Sequence, residues 1–402
     1  MTFSLVFCGL LCLVSGGKDN RDTVQLTSGK TLEGRVLLET KTKIVLAQGS
    51  RKRTLVPAKV KEIQSIARSL REVLLAYKSV SDGDVAGLMK LAKKCREAGL
   101  PHESQLLWWK ILFARPDHEE ANLAVGNHKR GGKWYTRGPG GDIPVLQVQN
   151  ASKAKGKPWQ LRSEHAEVVC HGSLRQAVEI LLEVEYEYLF FFMLLQPDLE
   201  FYELLEPFKV AVFADRKSYP SVAGSVGAYF SPAERTIYTY FVQGRPNALH
   251  HEATHALMYM VTEGSVGSRG GFPGWLHEGL AVYMDGILQS GKGGRLEIDP
   301  TRIDKHYVRM IVATGGKKLY SVHRILNFKA SDFAATSYQD LKYAQSYLLL
   351  HYLLNGVPDK TRENFMEYFK SAMGGKGQAS TFRKLLRSDY PKIEKDYLLW
   401  GR

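Results

Sequence analysis

The sequence predicts an α+β protein of several domains, and three observations lead to that prediction. Residues 22–65 alternate between apolar and polar side chains and turn at Ser28-Gly29, as antiparallel strands do. Residues 66–126 instead show the periodicity of amphipathic helices. Over residues 161–402, strands, one long helix at about 173–195 and further helices follow one another, a pattern typical of an α+β domain.

The first module, residues 22–65, is small and rich in predicted strands. A strand pair at 43–46 and 54–57 is expected around a basic turn from Gly49 to Arg53. The arrangement resembles a small SH3-like β-barrel. Such a module serves either to bind a partner or to act as a spacer.

The helical segment, residues 66–126, follows this module. Helices are predicted at 84–98, with Asp84 as N-cap, and at 102–114, and a third is expected to start at Pro116. The spacing resembles a single tetratricopeptide (TPR) unit, and the sequence shows no second copy. Residues 127–160 are rich in Gly, Lys and Pro, which indicates a linker or an irregular segment wrapped on the protein.

The N-terminus predicts export. Residues 1–17 carry no charge and include an apolar run from Leu5 to Val14, which resembles a signal peptide without the usual positive start. We therefore expect a periplasmic, envelope-associated or extracellular protein. Elsewhere the longest apolar run, Tyr188–Leu195, is too short to span a membrane, so no transmembrane segment is expected in the mature chain.

The net charge of +14 indicates a basic surface. The basic residues are spread along the chain and form no recognition motif, so we expect no specific nucleic-acid partner. A dispersed positive surface favours an anionic envelope or an acidic substrate. Two cysteines outside residues 1–17, Cys95 and Cys170, are too few for a disulfide framework and are predicted to be buried thiols.

The strongest chemical signal is the pentapeptide HEATH, residues 251–255. On a helix, His251 and His255 lie one turn apart and present two imidazoles to one metal ion. Zinc favours such nitrogen ligands, and Glu252 is placed to act as general base on a water molecule.

A catalytic zinc ion needs a third protein ligand, and Glu278 is the best candidate. It lies in Pro273–Tyr283, which is predicted to form a short helix buried on one side. A carboxylate in such a segment is costly unless it is paired or bound to a metal ion. His277 is the alternative ligand, but it points about 100° away from Glu278, so only one of them faces the site.

The two segments HEATH and PGWLHEGLAVY together resemble the gluzincin metallopeptidases, the group of thermolysin and the zinc aminopeptidases. The stretch from about residue 160 to the C-terminus is most similar to the bacterial peptidase MA-like gluzincins. The resemblance implies a thermolysin-like domain that binds one Zn²⁺ per chain through His251, His255 and Glu278 and hydrolyses peptides or proteins. The gap between His255 and Glu278 is longer than in thermolysin-like enzymes, and Gly264–Gly271 is predicted to be the loop that accommodates it.

The resemblance implies two further roles. Gluzincins use a tyrosine or histidine to stabilise the oxyanion, and Tyr343 is the candidate; the alternative is a core tyrosine that bonds locally. Gluzincins also bind substrate along an edge strand, and Gly227 and Ala228 lie in a predicted strand at 226–230. A second strand is predicted at 235–241, and an ordinary hairpin is the alternative.

Three functions therefore stay open from the sequence. The first is a zinc peptidase, with an endopeptidase favoured because no G-x-M-E-N-like string for holding a substrate amine is found. The second is an envelope or scaffold protein with a structural or vestigial zinc site, which the presence of Glu252 argues against. The third is a zinc hydrolase acting on an amide that is not a peptide.

Overall fold

The structure, a computed structural model, has the α+β multidomain class that the sequence predicts, with several sheets and many helices. It describes residues 22–81, 83–138, 140–148, 157–220, 227–262, 264, 272–290, 296–334 and 339–401. The predicted signal peptide and most of the predicted Gly264–Gly271 loop lie outside these residues. The chain divides into two compact units, and the division falls between Leu70 and Arg71.

The first unit is built on a five-stranded antiparallel sheet with the strand order β4-β3-β2-β1-β5. Its strands are β1 Asp22–Leu26, β2 Thr31–Glu39, β3 Ile44–Gln48, β4 Arg51–Leu55 and β5 Val60–Gln64. Alternate apolar residues form the core, among them Val24, Val36 and Leu46. The buried Asp22 carboxylate accepts bonds from the amides of Val36 (2.6 Å) and Ile66 (2.9 Å), which ties β1 to the end of the sheet.

The predicted basic turn from Gly49 to Arg53 is wrong. Only Gly49 and Ser50 lie between β3 and β4, and Arg51–Arg53 belong to the strand. Gly49 has φ of +62°, which a two-residue type II′ turn requires at its first position and which glycine adopts without strain. The turn is therefore two residues long, Gly49-Ser50, rather than the five residues predicted, because the positive φ of Gly49 reverses the chain within two residues.

Helices follow the first sheet. They are α1 Ile66–Tyr77, α2 Val85–Glu97, α3 Pro101–Ala114 and α4 Glu119–Ala124. Asp84 caps α2 as predicted, since its carboxylate accepts a bond from the Gly87 amide at 2.9 Å. The third predicted helix begins later than Pro116, because His118 is the residue that caps α4. Cys95 and Cys170 are free and buried, as predicted, and burial raises the pKa of each thiol to about 12.

The segment predicted as a linker is folded between residues 128 and 148. It contains a three-stranded antiparallel sheet and a short helix: β6 His128–Arg130, β7 Lys133–Gly138, β8 Gly141–Pro144 and α5 Val145–Val148. Gly131 and Gly132, both with positive φ, form the turn between β6 and β7. The linker prediction is wrong here because these glycines serve a hairpin rather than a flexible connection.

A mixed sheet forms the platform for the C-terminal part. Its strands are β9 Trp159–Arg162, β10 Ala166–Cys170, β11 Phe208–Phe213, β12 Tyr229–Ser231, β13 Thr236–Val242 and β14 Arg245–Pro246. The order is β12-β13-β11-β10-β9, with β10, β11 and β13 parallel and with β12 and β9 antiparallel to their neighbours. β12 is therefore an edge strand.

The long helix α6, Leu174–Leu199, connects β10 to β11 and is buried on most of its surface. Ser173 and Gln176 form a capping box at its start. Inside the helix, the fully buried Glu185 accepts bonds from the His165 amide (2.7 Å) and ring Nδ1 (2.8 Å), which fixes α6 against β10. Burial opposes both charges, but each partner stabilises the other, so the pKa of His165 is raised and that of Glu185 is lowered.

The remaining elements are mainly helical. They are α7 Leu249–Val261, α8 Gly274–Ile287, the hairpin of β15 Leu288–Ser290 and β16 Leu296–Ile298, α9 Lys305–Ala313, α10 Val322–Ile325, α11 Ala330–Ala334, α12 Gln339–Asn355, α13 Asp359–Met373, α14 Ala379–Leu385 and α15 Tyr390–Asp396. Among the helices described, none combines the length and the apolar character that crossing a membrane requires. α8 is buried and packs against both α7 and α12.

Gly279 allows the close contact between α8 and α12. A Cβ atom at this position would lie 2.9 Å from the carbonyl oxygen of Ser346, which is backbone of α12 and cannot rotate away. Gly286, one residue before the end of α8, has room, because the nearest atom to its Cβ would be the Asp304 Cβ at 3.8 Å. The contact at Gly279 sets the distance between α8 and α12 and therefore helps to position the adjacent Glu278.

We predict that Gly279→Ala lowers the free energy of unfolding by about 1–3 kcal/mol, because the added methyl group forces α8 and α12 apart. The matched substitution Gly286→Ala leaves it unchanged or raises it by up to about 1 kcal/mol, because alanine favours the helix. Thermal unfolding of the two variants beside the parent protein measures the difference. Equal effects of the two substitutions would contradict the close packing at Gly279.

Candidate metal centre

Two helices supply the predicted metal-binding residues. α7 carries His251 and His255 one turn apart on one face, and α8 carries Glu278. Ala248, directly before α7, has φ of +48°, a left-handed conformation that costs an alanine about 1–2 kcal/mol. This turn directs the chain from β14 into α7.

The three side chains converge with their donor atoms at almost equal separations. Nε2 of His251 lies 3.1 Å from Nε2 of His255. Oε2 of Glu278 lies 3.3 Å from the first nitrogen and 3.4 Å from the second. Two ligands bound to one zinc ion at 2.0–2.1 Å and a tetrahedral angle are about 3.3 Å apart. The triangle therefore has the dimensions of three corners of a zinc tetrahedron.

The electrostatics of this triangle favour a cation. Burial disfavours the charged form of His251, but the bond to Glu278 and the charges of Glu252 and Glu278 raise its pKa to about 9. Burial also disfavours ionisation of Glu278, yet the charge of His255 and hydrogen bonds to both imidazoles hold its pKa well below the usual range. Glu278 is therefore a carboxylate that requires positive charge beside it.

His277, the alternative ligand, lies behind His255 rather than in the triangle. Its Nε2 is 3.2 Å from Nδ1 of His255. Burial and the neighbouring charge of His255 lower the pKa of His277 to about 3, so it is neutral and can accept the Nδ1–H of His255. This contact supports the His255 ring from behind, and its Nε2 faces His251 and Glu278.

A buried glutamate of α6 holds α7 from the opposite side. Glu187 is fully buried, and its carboxylate accepts bonds from His250 Nδ1 (2.8 Å) and from the Thr254 hydroxyl (3.1 Å). His250 and Thr254 immediately precede His251 and His255, so both turns that carry the imidazoles are fixed to α6. Burial opposes the charge of His250, but Glu187 outweighs it and raises the His250 pKa to about 9.

Glu252 faces the edge strand β12. Its Oε2 accepts a hydrogen bond from the backbone amide of Phe230 at 2.9 Å. Phe230 is paired with Ile237 of β13, but its amide is directed to Glu252 and not to that neighbour. The sheet edge therefore holds one oxygen of the predicted general base in a fixed position.

Gly227 and Ala228 do not lie in the edge strand, which begins only at Tyr229. A Cβ at Gly227 would lie 2.3 Å from the side-chain Nδ2 of Asn247, and Ala228 is 8% exposed. The predicted strand 226–230 is therefore wrong at Gly227 and Ala228, which precede β12, and their role in binding substrate stays a prediction. The edge of the sheet is formed instead by Tyr229–Ser231.

Tyrosine rings line the sheet next to β12. Tyr229 stacks on Tyr238 with 5.1 Å between ring centroids, and Tyr219 meets both Tyr229 and Tyr240 edge-on. Burial, and to a smaller degree the charges of Tyr229 and Glu252, raise the pKa of Tyr219. These four rings form an aromatic wall beside the edge strand.

Tyr343 lies beside the triangle, with its ring centroid 6.1 Å from that of His251 and a mutual angle of 63°. The ring is half-buried and also contacts Phe333. Tyr347 and His351, four and eight residues further along α12, are instead structural. The Tyr347 hydroxyl accepts a bond from the Asp304 amide, and His351 lies between the Arg302 carbonyl and the Trp400 indole.

The sequence interpretation missed Glu187, Thr254 and the Phe230 amide. One available signal was that apolar residues occur all around α6, so that a glutamate inside this helix must be buried and paired. The Phe230 amide had no sequence signal, since its role depends on where β12 ends against α7.

Comparison with known proteins gives one partial match. Residues 247–376 match the model of a family described as "Protein of unknown function (DUF1570)". The matched region runs from the start of α7 to the end of α13, and it contains the three donors and Tyr343. No curated protein matches the chain. The family description assigns no activity.

Proposed function

We propose that this protein is a zinc-dependent peptidase whose zinc ion is bound by His251, His255 and Glu278. The observation that carries the proposal is the triangle of donor atoms, with sides of 3.1, 3.3 and 3.4 Å. Two imidazoles and one carboxylate are a donor set that zinc accepts, and three protein ligands leave the fourth position of a catalytic site open. Glu252 supports a catalytic rather than a structural role, because a structural site needs no base.

Glu252 is the proposed general base. A zinc ion in this donor set supplies Lewis acidity and lowers the pKa of a water molecule to about 7. Glu252 takes a proton from the attacking water and passes it to the departing amine. The Phe230 amide holds one carboxylate oxygen of Glu252, which restricts the side chain to one rotamer. The second oxygen is the one proposed to take the proton.

The substrate is proposed to be an extended peptide lying along β12. Among the described residues, β12 pairs as a strand only with β13. The Phe230 amide on its second edge is bonded to Glu252, so the Phe230 carbonyl is the group proposed to accept a main-chain bond from the substrate. The aromatic wall of Tyr219, Tyr229, Tyr238 and Tyr240 borders this edge and suits apolar or aromatic side chains. Tyr343 is proposed as the donor to the oxyanion, since its ring contacts His251.

The wider fold supports the gluzincin interpretation of residues 161–402. A sheet with an antiparallel edge strand precedes the helix with both histidines, and the next helix of the described chain carries the glutamate. In the first unit, the antiparallel order β4-β3-β2-β1-β5 suits the predicted SH3-like barrel. The single TPR-like unit, the signal peptide, the exported location and the preference for endopeptidase activity stay predictions.

Zinc content and peptidase activity of the purified protein test the proposal. We expect one zinc ion per chain in the parent and in Glu252→Gln, but cleavage of an unfolded protein such as casein by the parent alone. General-base catalysis contributes about 10²–10⁴-fold, so Glu252→Gln should lower kcat/KM by that factor. Glu278→Gln should lose both the zinc ion and the activity.

Glu206→Gln is the matched control, because Glu206 is an exposed glutamate of the same domain whose ion pair among the described residues is with Arg235 on the surface. It should retain both zinc and activity. Zinc bound to the parent without turnover of any peptide would favour the scaffold protein or a non-peptide amide substrate. Absence of stoichiometric zinc would overturn the site.

A second prediction concerns the bond between Phe230 and Glu252. Phe230→Pro removes the amide hydrogen that bonds Glu252 and leaves the bonds to β13 in place. Phe230→Ala keeps the amide hydrogen and removes only the phenyl ring. A hydrogen bond to a charged group contributes about 1.5–3 kcal/mol, so Phe230→Pro should lower kcat about 10- to 100-fold with zinc content unchanged.

The Phe230→Ala variant should keep kcat within a few-fold of the parent. Steady-state kinetics of the two variants separate the amide from the side chain. An equal loss in both would show that the phenyl ring, rather than the amide, positions Glu252.

A further inference from the structure

The hairpin of β6 and β7 carries a cluster of basic side chains far along the chain from the metal ligands. Residues 128–133 are exposed without interruption, and they include Lys129, Arg130 and Lys133. A Cβ added at Gly131 or Gly132, the two residues of the turn, would meet no atom within 4 Å. The tip of the hairpin therefore has open space around it.

The charge of the hairpin and its neighbouring strand is strongly one-sided. Residues 128–148 contain four Lys and Arg, one Asp and no Glu, a net charge of +3. The acid, Asp142, lies 3.2 Å from Nε2 of His128 and 3.8 Å from the Arg130 guanidinium. Lys129, Lys133 and Arg137 form no ion pair with any described residue. The hairpin therefore presents an excess of positive charge to solvent.

Two aromatic rings lie beside these cations. Lys129 and Trp134 are paired across the strands, and Nζ of Lys129 lies 5.4 Å from the centroid of the indole ring. The Arg130 guanidinium lies over the Tyr135 ring at 4.6 Å. Both rings are half-buried. Because successive residues of a strand point to opposite faces, the hairpin has an aromatic ring and a cation on each of its faces.

This two-sided arrangement distinguishes between anionic partners. Single-stranded nucleic acid lies in a positive groove and stacks its bases on open aromatic rings. The Tyr135 ring is already covered by Arg130 and stacked with His128 at 6.0 Å between centroids. A membrane surface instead surrounds the element that enters it. Trp and Tyr rings favour the level of the lipid headgroups, and Lys and Arg beside them are attracted to anionic lipids.

We propose that the β6–β7 hairpin binds the surface of an anionic lipid bilayer, with its tip in the headgroup layer. Lys129, Arg130 and Lys133 contact the lipid phosphates. The Trp134 and Tyr135 rings lie at the boundary between the headgroups and the acyl chains. Lipid binding by the hairpin requires neither the zinc ion nor the activity proposed for it.

Sedimentation of the full-length protein with vesicles of phosphatidylglycerol and phosphatidylcholine in about equal parts tests the role of charge. Each Lys or Arg near an anionic surface contributes about fivefold to binding, so Arg130→Gln/Lys133→Gln should lower the partition coefficient about 30-fold. Vesicles of phosphatidylcholine alone measure any background from the apolar run at residues 5–14.

Lys376→Gln/Lys384→Gln is the matched control for the charge variant. Both lysines are exposed, and the net charge falls by the same amount. This variant should lower the partition coefficient by about twofold or less, because charges away from the membrane are screened by salt. Equal losses in the two double variants would reduce the contact to overall charge and overturn the proposal.

Tryptophan fluorescence tests whether the hairpin enters the headgroup layer. Four of the six tryptophans are buried, namely Trp108, Trp109, Trp159 and Trp275. Anionic vesicles with brominated acyl chains should therefore quench chiefly Trp134 and Trp400. We expect Trp134→Phe to lose most of this quenching and Trp400→Phe to retain it.

Three results would overturn the proposal besides equal losses in the double variants. One is equal binding of the parent to anionic and neutral vesicles. Another is quenching that Trp134→Phe leaves unchanged. The third is a short oligothymidine that binds the hairpin more tightly and displaces the protein from anionic vesicles, which would identify nucleic acid as the partner.

Discussion

Three donor atoms meet in this protein because α8 packs in contact with α7 and α12 at the same time. The backbone of α12 approaches Gly279 so closely that a side chain there would clash with it. This contact sets the distance between α8 and α12 and so helps to position Glu278. Glu278 Oε2 then lies 3.3 and 3.4 Å from the two imidazole nitrogens of α7. The candidate site is thus a product of helix packing, and its geometry is as rigid as that packing.

Buried polar contacts fix the other side of the site. Glu187 of α6 holds His250 and Thr254, the residues that precede His251 and His255, and His277 supports His255 from behind. Buried charges are costly unless they are paired, and breaking such a pair costs about 3–5 kcal/mol. Buried charged groups are therefore present around α7 although burying them is costly, and they lie where they orient the donor side chains.

The sequence predicted the donors because they depend on local structure. His251 and His255 are one helical turn apart in any helix, and Glu278 was recognisable as a carboxylate in an apolar helix. Contacts that depend on distant elements could not be predicted in this way. Phe230 reaches Glu252 because β12 lies against α7, and these two elements are separated along the chain by β13 and β14. The first part of β4, Arg51–Arg53, was missed because three basic residues directly after Gly49-Ser50 were taken as part of the turn.

Zinc X-ray absorption of the purified protein, beside Glu278→Gln and His277→Asn, tests the triangle of donor atoms most directly. We expect nitrogen and oxygen neighbours at about 2.0–2.2 Å in the parent, two of them imidazoles. Zinc occupancy or the spectrum should change in Glu278→Gln, and the directly bound atoms should be unchanged in His277→Asn. A spectrum altered only by His277→Asn, or sulfur neighbours at about 2.3 Å, would contradict the triangle of His251, His255 and Glu278.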